Sequence, residues 1–344
     1  MCKRQYNMGN HDTTNRIGYI DLVKGISIIC VVWVHSHIPP FWLTSFLVNF
    51  IFFFISGLFF NRQQKSLRKL IIKNTNRIII PFLFFYIASY PFRLIVHFWD
   101  NRTLSTFDWL CILDVFSWNP NPDYLFVNVP LWFLLCLFFI NIFYFTIRKL
   151  PDAVIILISI VAIFSKSFFY SIPAPFMINV AFYWLGIFAL GNVFGTKMVA
   201  FLQVQSNKYV SIILCILIAI LISSVYLSCV RCLLHLSEAF IYIKAFIVIF
   251  ILFFASSLVG DKYTKALRFY GTNSLIVLGF HIWVLIPIGR ILYAIFRKSN
   301  IATGLTATFF TVIIAIAFIK FCNNRIPRLV GKNPPPTKCS KSHC

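Results

Sequence analysis

The stretch DLVKGISIICVVWVHSH, Asp21 to His37, is apolar enough to be a membrane helix, yet it carries a carboxylate and an ammonium at one end and two imidazoles at the other. Apolar runs of about twenty residues like it recur from one end of the chain to the other. Leu, Ile, Val and Phe dominate these runs, without the alternation of inward and outward residues that a barrel strand requires. With 60% hydrophobic and 12% charged residues over 344 positions, and a mean hydropathy of +0.84, the chain has too little polar surface to cover a soluble globule. These features predict an all-α, polytopic membrane protein.

Windows long enough to span fall near 18–37, 41–60, 78–98, 128–147, 153–169, 176–195, 209–228, 240–259, 274–292 and 304–322, which predicts about ten helices. The formal net charge of +22 does not point to nucleic acid, because the basic residues lie between the apolar runs and not on one soluble face among exposed aromatics. Topology accounts for them: Lys and Arg collect on the cytoplasmic side. The connection NRQQKSLRKLIIKNTNR carries Arg62, Lys65, Arg68, Lys69, Lys73 and Arg77 with no acid, and is expected inside. The next connection sets Asp100, Asp108, Asp114 and Asp123 against Arg102 and is expected outside. Alternation then places Arg148 and Lys149, Lys197 and Lys208, Lys262, Lys265 and Arg268, and finally Arg325, Arg328 and Lys332 on the inner face. Both termini are expected to be cytoplasmic, with a polar segment 1–17, one membrane domain 18–322 and a basic tail 323–344. A cell inner (plasma) membrane location follows.

Residues 1–16 show no short apolar core followed by a small-residue cleavage site, so the first helix is expected to be retained. No internal repeat or pair of matching broken segments is apparent, which counts against an inverted-repeat carrier. The ten cysteines are scattered, and Cys30, Cys136 and Cys215 sit in apolar runs where a thiol behaves as a small hydrophobe. Cys229 and Cys232 form a C-x-x-C without a second pair, and Cys339, His343 and Cys344 lie in a Pro- and Lys-rich tail, so no metal site is expected.

On a helix, Lys24 and His35 are eleven positions apart, within roughly 20° of each other and separated by about 16 Å along the axis. Asp21, Ile28 and Val31 lie on or near that face. One reading makes Asp21 and Lys24 an interfacial pair and lets His35 and His37 sit in the outer interface. The other has these ionisable groups face a cavity, where a histidine suits the role of general base near neutral pH.

The same residues resemble the first-helix motif of the membrane acyltransferase-3 family, in which a D-x-x-R-G or D-x-x-K-G start precedes a His. The resemblance continues in order along most of the chain. FFFISGLFF, Phe52 to Phe60, is similar to the family's F-F-x-x-S-G motif, and Arg77 and Pro81 match its R-x-x-x-P start of the third helix. LWFLLCLFF, Leu131 to Phe139, resembles a segment of the fucose and polysaccharide O-acetylase branch, and YGTNSLIVLGFH, Tyr270 to His281, a late motif ending in His. The family more often has Arg where this chain has Lys24, and Lys cannot form Arg's bidentate fork.

Membership would imply transfer of an acyl group, usually acetyl from cytoplasmic acetyl-CoA, to a hydroxyl of a surface-glycan sugar or its lipid-linked precursor. It would make His35 the general base, with Asp21 and Lys24 holding one another and orienting the donor. Arg77, Arg68 and Lys73 would bind the anionic donor, and no tightly bound cofactor is expected. His281, Ser274, Ser56 and Trp132 are further candidates: His281 as a second intramembrane imidazole, Ser56 beside the packing residue Gly57, Trp132 as a stacking surface or an interfacial anchor. A transporter or flippase for a glycan or lipid-linked sugar, and an acyltransferase with a lipid or small-metabolite acceptor, are the competing expectations.

Overall fold

The computed structural model describes residues 18–36, 41–119, 125, 127–204, 216, 237–259, 261–297 and 301–333. Every regular element among them is helical: α1 (Gly18–Val34), α2 (Phe41–Leu58), α3 (Leu67–Asn74), α4 (Ile80–Asn101), α5 (Trp132–Ile147), α6 (Asp152–Phe164), α7 (Lys166–Ser171), α8 (Ile178–Val204), α9 (Ser237–Leu258), α10 (Asp261–Thr272), α11 (Ser274–Phe296) and α12 (Ile301–Arg325). Among the described residues, five helical stretches are long and apolar enough to cross a membrane: Leu67–Asn101, Val129–Ile147, Pro175–Leu202, Ser274–Phe296 and Ile301–Arg325. Leu47–Leu58, Asp152–Phe164 and Ala245–Leu258 are shorter apolar helices. The chain is a polytopic all-α membrane protein. The window 209–228 apart from residue 216, the Cys229–Cys232 pair, His37, residues 1–17 and the tail cysteines lie outside the described residues.

Asp21, Val23, Ile28 and Val32 are buried at 5%, 0%, 1% and 0% exposure, so α1 is an interior strut of the bundle. It packs most closely on α10, a short helix whose mixed composition hid it among the expected loops. The approach is set by two glycines: a Cβ on Gly25 would lie 1.9 Å from the Leu267 carbonyl oxygen, and one on Gly271 would lie 1.8 Å from that of Asp21. The α2–α8 crossing is made in the same way. A Cβ on Gly57 would meet the Phe188 oxygen at 1.8 Å, and one on Gly191 the Phe54 oxygen at 2.1 Å. Small residues let helix backbones approach where lipid gives no hydrophobic drive to associate.

Four serine hydroxyls inside the apolar helices are satisfied by the preceding turn. Ser27, Ser56, Ser89 and Ser159 donate to Val23, Phe52, Phe85 and Ile155 carbonyls at 2.6–2.8 Å. Ser89 also accepts from Asn128 Nδ2 and Trp283 Nε1, each at 2.8 Å, while the same Asn128 amide donates to the Gly279 oxygen. That knot fastens α4, α11 and the start of α5.

A second network closes the opposite end. Arg62 pairs with Asp152 at 2.6 Å, Lys197 approaches the same carboxylate at 3.6 Å, and Arg62 Nε donates to Tyr144. Tyr144 donates to Asn192 Oδ1 at 2.7 Å, and the Asn192 amide donates to the Gly57 and Phe60 carbonyls. Arg148 joins by donating to the Gln64 oxygen. Asn192→Leu removes all three of its contacts and strands buried partners, each costing about 1–3 kcal/mol. Detergent-solubilised variant is expected to melt several degrees below wild type, and an unchanged transition would contradict this role for the network.

The basic connection differs from expectation. Residues 67–74 are helical, not loop, because Ser66 caps the helix by accepting from Lys69 N–H, and Leu70 and Asn74 turn inward while Arg68 and Lys69 face out. This helix passes through one π turn, Thr75–Ile79, directly into α4. The fifth window, 153–169, breaks at Ser165 into α6 and α7.

Candidate active site

The stripe Lys24, Ile28, Val31, His35 on α1 lines a cavity of about 390 Å³, a size suited to a small-molecule or cofactor site. Asn49, Phe52 and Ser56 of α2, with Phe59 just after it, form a second wall; Lys73, Asn74, Arg77 and Ile78 a third. Val129, Pro130, Trp132, Phe133 and Asn141, and Ser274, Leu275 and Leu278 of α11, complete it. The π turn matters here, since its extra residue re-aims the chain at the α3–α4 junction and brings Asn74, Arg77 and Ile78 to the same wall. Such turns occur frequently at functional sites.

The cavity is polarised. Lys24 lies near the start of α1, Arg77 at the start of α4 and Ser274 at the start of α11, whereas His35 follows the end of α1 and Val129–Trp132 open α5. The end of α5 is tied to the Arg62 network through Arg148 and Gln64, and the far parts of α4 and α11 are joined by Arg290–Asp100 at 2.5 Å. The cations Lys24, Lys73 and Arg77 therefore mark one end and His35 the other. Lys73 and Arg77 are exposed at the mouth. The Lys24 ammonium lies 4.6 Å from the centre of the Phe59 ring, a cation–π contact.

The mouth has a contributor from the tail. After the turn Pro327–Val330, Gly331 takes φ +74, and a Cβ there would lie 2.9 Å from the Arg77 oxygen. The Lys332 ammonium then bonds to Asn273 Oδ1, beside cavity-lining Ser274. The described part of the basic tail is thus packed on the bundle next to the cationic end.

At the other end, His35 Nδ1 lies 2.8 Å from the Val31 oxygen. A carbonyl can only accept, so Nδ1 carries the hydrogen and Nε2 holds the basic lone pair. The His281 ring packs against it, centroids 5.0 Å apart at 66°. His281 is wholly buried and is not part of the cavity wall.

Of the remaining candidates, Ser56 and Ser274 line the cavity; the Ser56 hydroxyl is already committed to the Phe52 oxygen. Trp132 is 9% exposed and packs on Phe53 and Trp184, so it is a cavity wall and not an interfacial anchor. Asp21 is buried toward α10 and Arg68 is exposed on α3; neither lines the cavity. Asn49, Asn74 and Asn141 went unrecognised in the sequence, although an amide inside an apolar run is itself a signal. No group of His, Cys, Asp or Glu among the described residues could hold a metal.

No curated protein and no solved structure matches this chain. A family model described as an acyltransferase domain matches residues 17–320, which takes in α1 through most of α12 and every wall of the cavity. The chain therefore belongs to the membrane acyltransferase-3 family.

Proposed function

We propose that this membrane acyltransferase moves an acyl group, acetyl in the first instance, from cytoplasmic acyl-CoA to a hydroxyl of a surface-glycan sugar or its lipid-linked precursor at the plasma membrane, with His35 as general base. The observation that carries the reading is the cavity itself, which joins a cationic mouth to an imidazole whose tautomer leaves Nε2 basic. Coenzyme A is strongly anionic and made inside the cell, so the end bearing Lys73 and Arg77 is assigned to the cytoplasmic side. The rise of about 16 Å from Lys24 to His35 is comparable with the reach of a pantetheine arm, which would bring the thioester beneath the imidazole.

The acceptor oxygen attacks the thioester carbonyl and forms the new C–O bond as its proton passes to His35 Nε2. Collapse of the tetrahedral oxyanion breaks the C–S bond, and the proton goes to the departing thiolate. An ester and a free thiol leave, and His35 returns neutral. Direct transfer needs no acyl-enzyme.

Arg77→Ala removes a charge-assisted contact worth about 1.5–3 kcal/mol. It is expected to raise the KM for acetyl-CoA roughly tenfold or more with a smaller change in kcat. Thiol release from acetyl-CoA by membrane vesicles of expressing cells measures both constants. Release that depends on the chain and needs more acetyl-CoA in Arg77→Ala is the expected result; vesicles that release no more thiol than those lacking the chain would sink the donor assignment.

A further inference from the structure

Asn74 closes α3 between two cations. Lys73 and Arg77 are exposed at the mouth, whereas Asn74 is 7% exposed and lines the cavity. Its Nδ2 has no hydrogen-bond partner. Burying an amide N–H without a partner is costly, and such a group in a native fold calls for an explanation. The torsion that turns an asparagine amide is soft, and no bond to Nδ2 resists it, so a small turn presents the N–H to a ligand in the cavity.

The helix α3 and the π turn pack on α5, which carries a second amide in the cavity wall. Asn141 Nδ2 donates to the Leu137 oxygen at 2.7 Å, within its own helix, so what this side chain offers the cavity is the acceptor Oδ1. The two amides are not joined through Asn74 Nδ2, which is unpartnered. Ile55, Phe133, Leu134 and Leu137 belong to the same lining, and in an apolar site a few placed polar groups supply the specificity. A donor and an acceptor on neighbouring helices complement a secondary amide, which presents one C=O and one N–H. A phosphate offers acceptors alone and would leave Asn141 Oδ1 without a donor.

We propose that Asn74 and Asn141 form a subsite for an amide of the donor's pantetheine arm, the Asn74 N–H donating to its carbonyl and Asn141 Oδ1 accepting from its N–H. This rests on the assignment of acyl-CoA as the donor. The arm carries two secondary amides between the phosphates and the sulfur. Lys73 and Arg77 flank Asn74, so the amide held here is the one nearer the phosphates. These bonds are the same in the ground state and the transition state, because the reacting carbonyl lies at the His35 end. They therefore lower KM and leave kcat alone. Neither partner in the subsite is charged, so added salt does not screen it as it screens a contact between Arg77 and a phosphate.

The test measures acetyl-CoA thiol release at low and high salt in vesicles carrying wild type, Asn74→Leu, Asn141→Leu or Arg77→Ala, each normalised to folded protein in the membrane. Asn74→Leu is expected to raise KM about 3- to 10-fold, by the same factor at both salt concentrations, with kcat within about twofold of wild type. The loss in Arg77→Ala is expected to shrink as salt rises. Shorter donors separate the two contacts. S-Acetylpantetheine keeps both amides and no phosphate, so it is expected to feel Asn74→Leu and not Arg77→Ala. S-Acetyl-N-acetylcysteamine keeps only the amide next to the sulfur and is expected to feel neither. Where neither short donor is turned over, the acetyl-CoA constants and their salt dependence decide. In detergent, Asn74→Leu is expected to melt no lower than wild type, since the N–H it removes has no partner in the resting protein. An unchanged KM, a KM effect that fades with salt, a loss confined to kcat, a lower melting temperature, or an equal loss with S-acetyl-N-acetylcysteamine would overturn the proposal. Where Asn74→Leu fails to accumulate, Asn141→Leu decides by the same kinetic criteria. If wild type releases no more thiol than vesicles lacking the chain, the donor assignment itself fails; if Arg77→Ala raises KM and Asn74→Leu does not, only the amide subsite fails.

Discussion

Gly25→Leu and Gly271→Leu are each expected to abolish accumulation of the protein in the membrane. The built Cβ positions lie 1.9 and 1.8 Å from carbonyl oxygens of the facing helix, and each also crowds the backbone nitrogen of the other glycine, at 3.3 and 2.9 Å. Backbone cannot rotate aside as a flexible side chain can, so α1 and α10 must separate. Overpacking in a well-filled core typically costs about 1–3 kcal/mol where side chains can adjust, and here they cannot. Separation would also displace Lys24 from the cavity, one residue from the crossing. Gly289 supplies the control, since a Cβ there meets nothing within 4 Å, and Gly289→Ala is expected to accumulate as wild type. Immunoblots of washed membranes distinguish these outcomes, and normal abundance of Gly25→Leu would contradict the packing argument.

His35→Ala is expected to leave the fold intact and remove the reaction. The side chain is half-buried and lines the cavity, so truncation widens an existing space and leaves the helix crossings in place. Loss of a positioned general base typically costs about 10²–10⁴-fold in rate, which would bring thiol release near background. The KM for acetyl-CoA is expected to change little, because Lys24, at the cationic end of the cavity, is about 16 Å away along α1. A large rise in KM at preserved kcat would make His35 a binding group instead.

How much of this was legible in the sequence differs by feature. The membrane class, the cavity-facing stripe on α1 and the common location of Arg62, Arg148 and Lys197 at one end follow from apolar run length, helical period and charge distribution. The residues read as Lys24-Gly25 and Tyr270-Gly271 motifs touch through their glycines, which helix period alone does not reveal because the contact depends on a crossing between helices far apart in sequence. The α3 helix was hidden because its basic face resembles a solvated loop, and the π turn at Arg77 because no local residue pattern distinguishes five-residue hydrogen bonding from four. Trp132 could be read as a stacking surface or an interfacial anchor, and only the ring packing of Phe53 and Trp184 around it places it in the core. His281 was visible as a buried imidazole, but its unpartnered Nε2 and its contact with His35 required the fold.

The central claim is that His35 serves acylation of a surface glycan. It is tested most directly by the O-acyl content of surface glycans, read by mass spectrometry before and after mild alkali, in cells carrying wild type, a deletion, or His35→Ala at matched membrane abundance. The account predicts that one alkali-labile acyl group disappears in both mutants while the glycan is still exported. An unchanged acyl pattern, or loss of export itself, would contradict it.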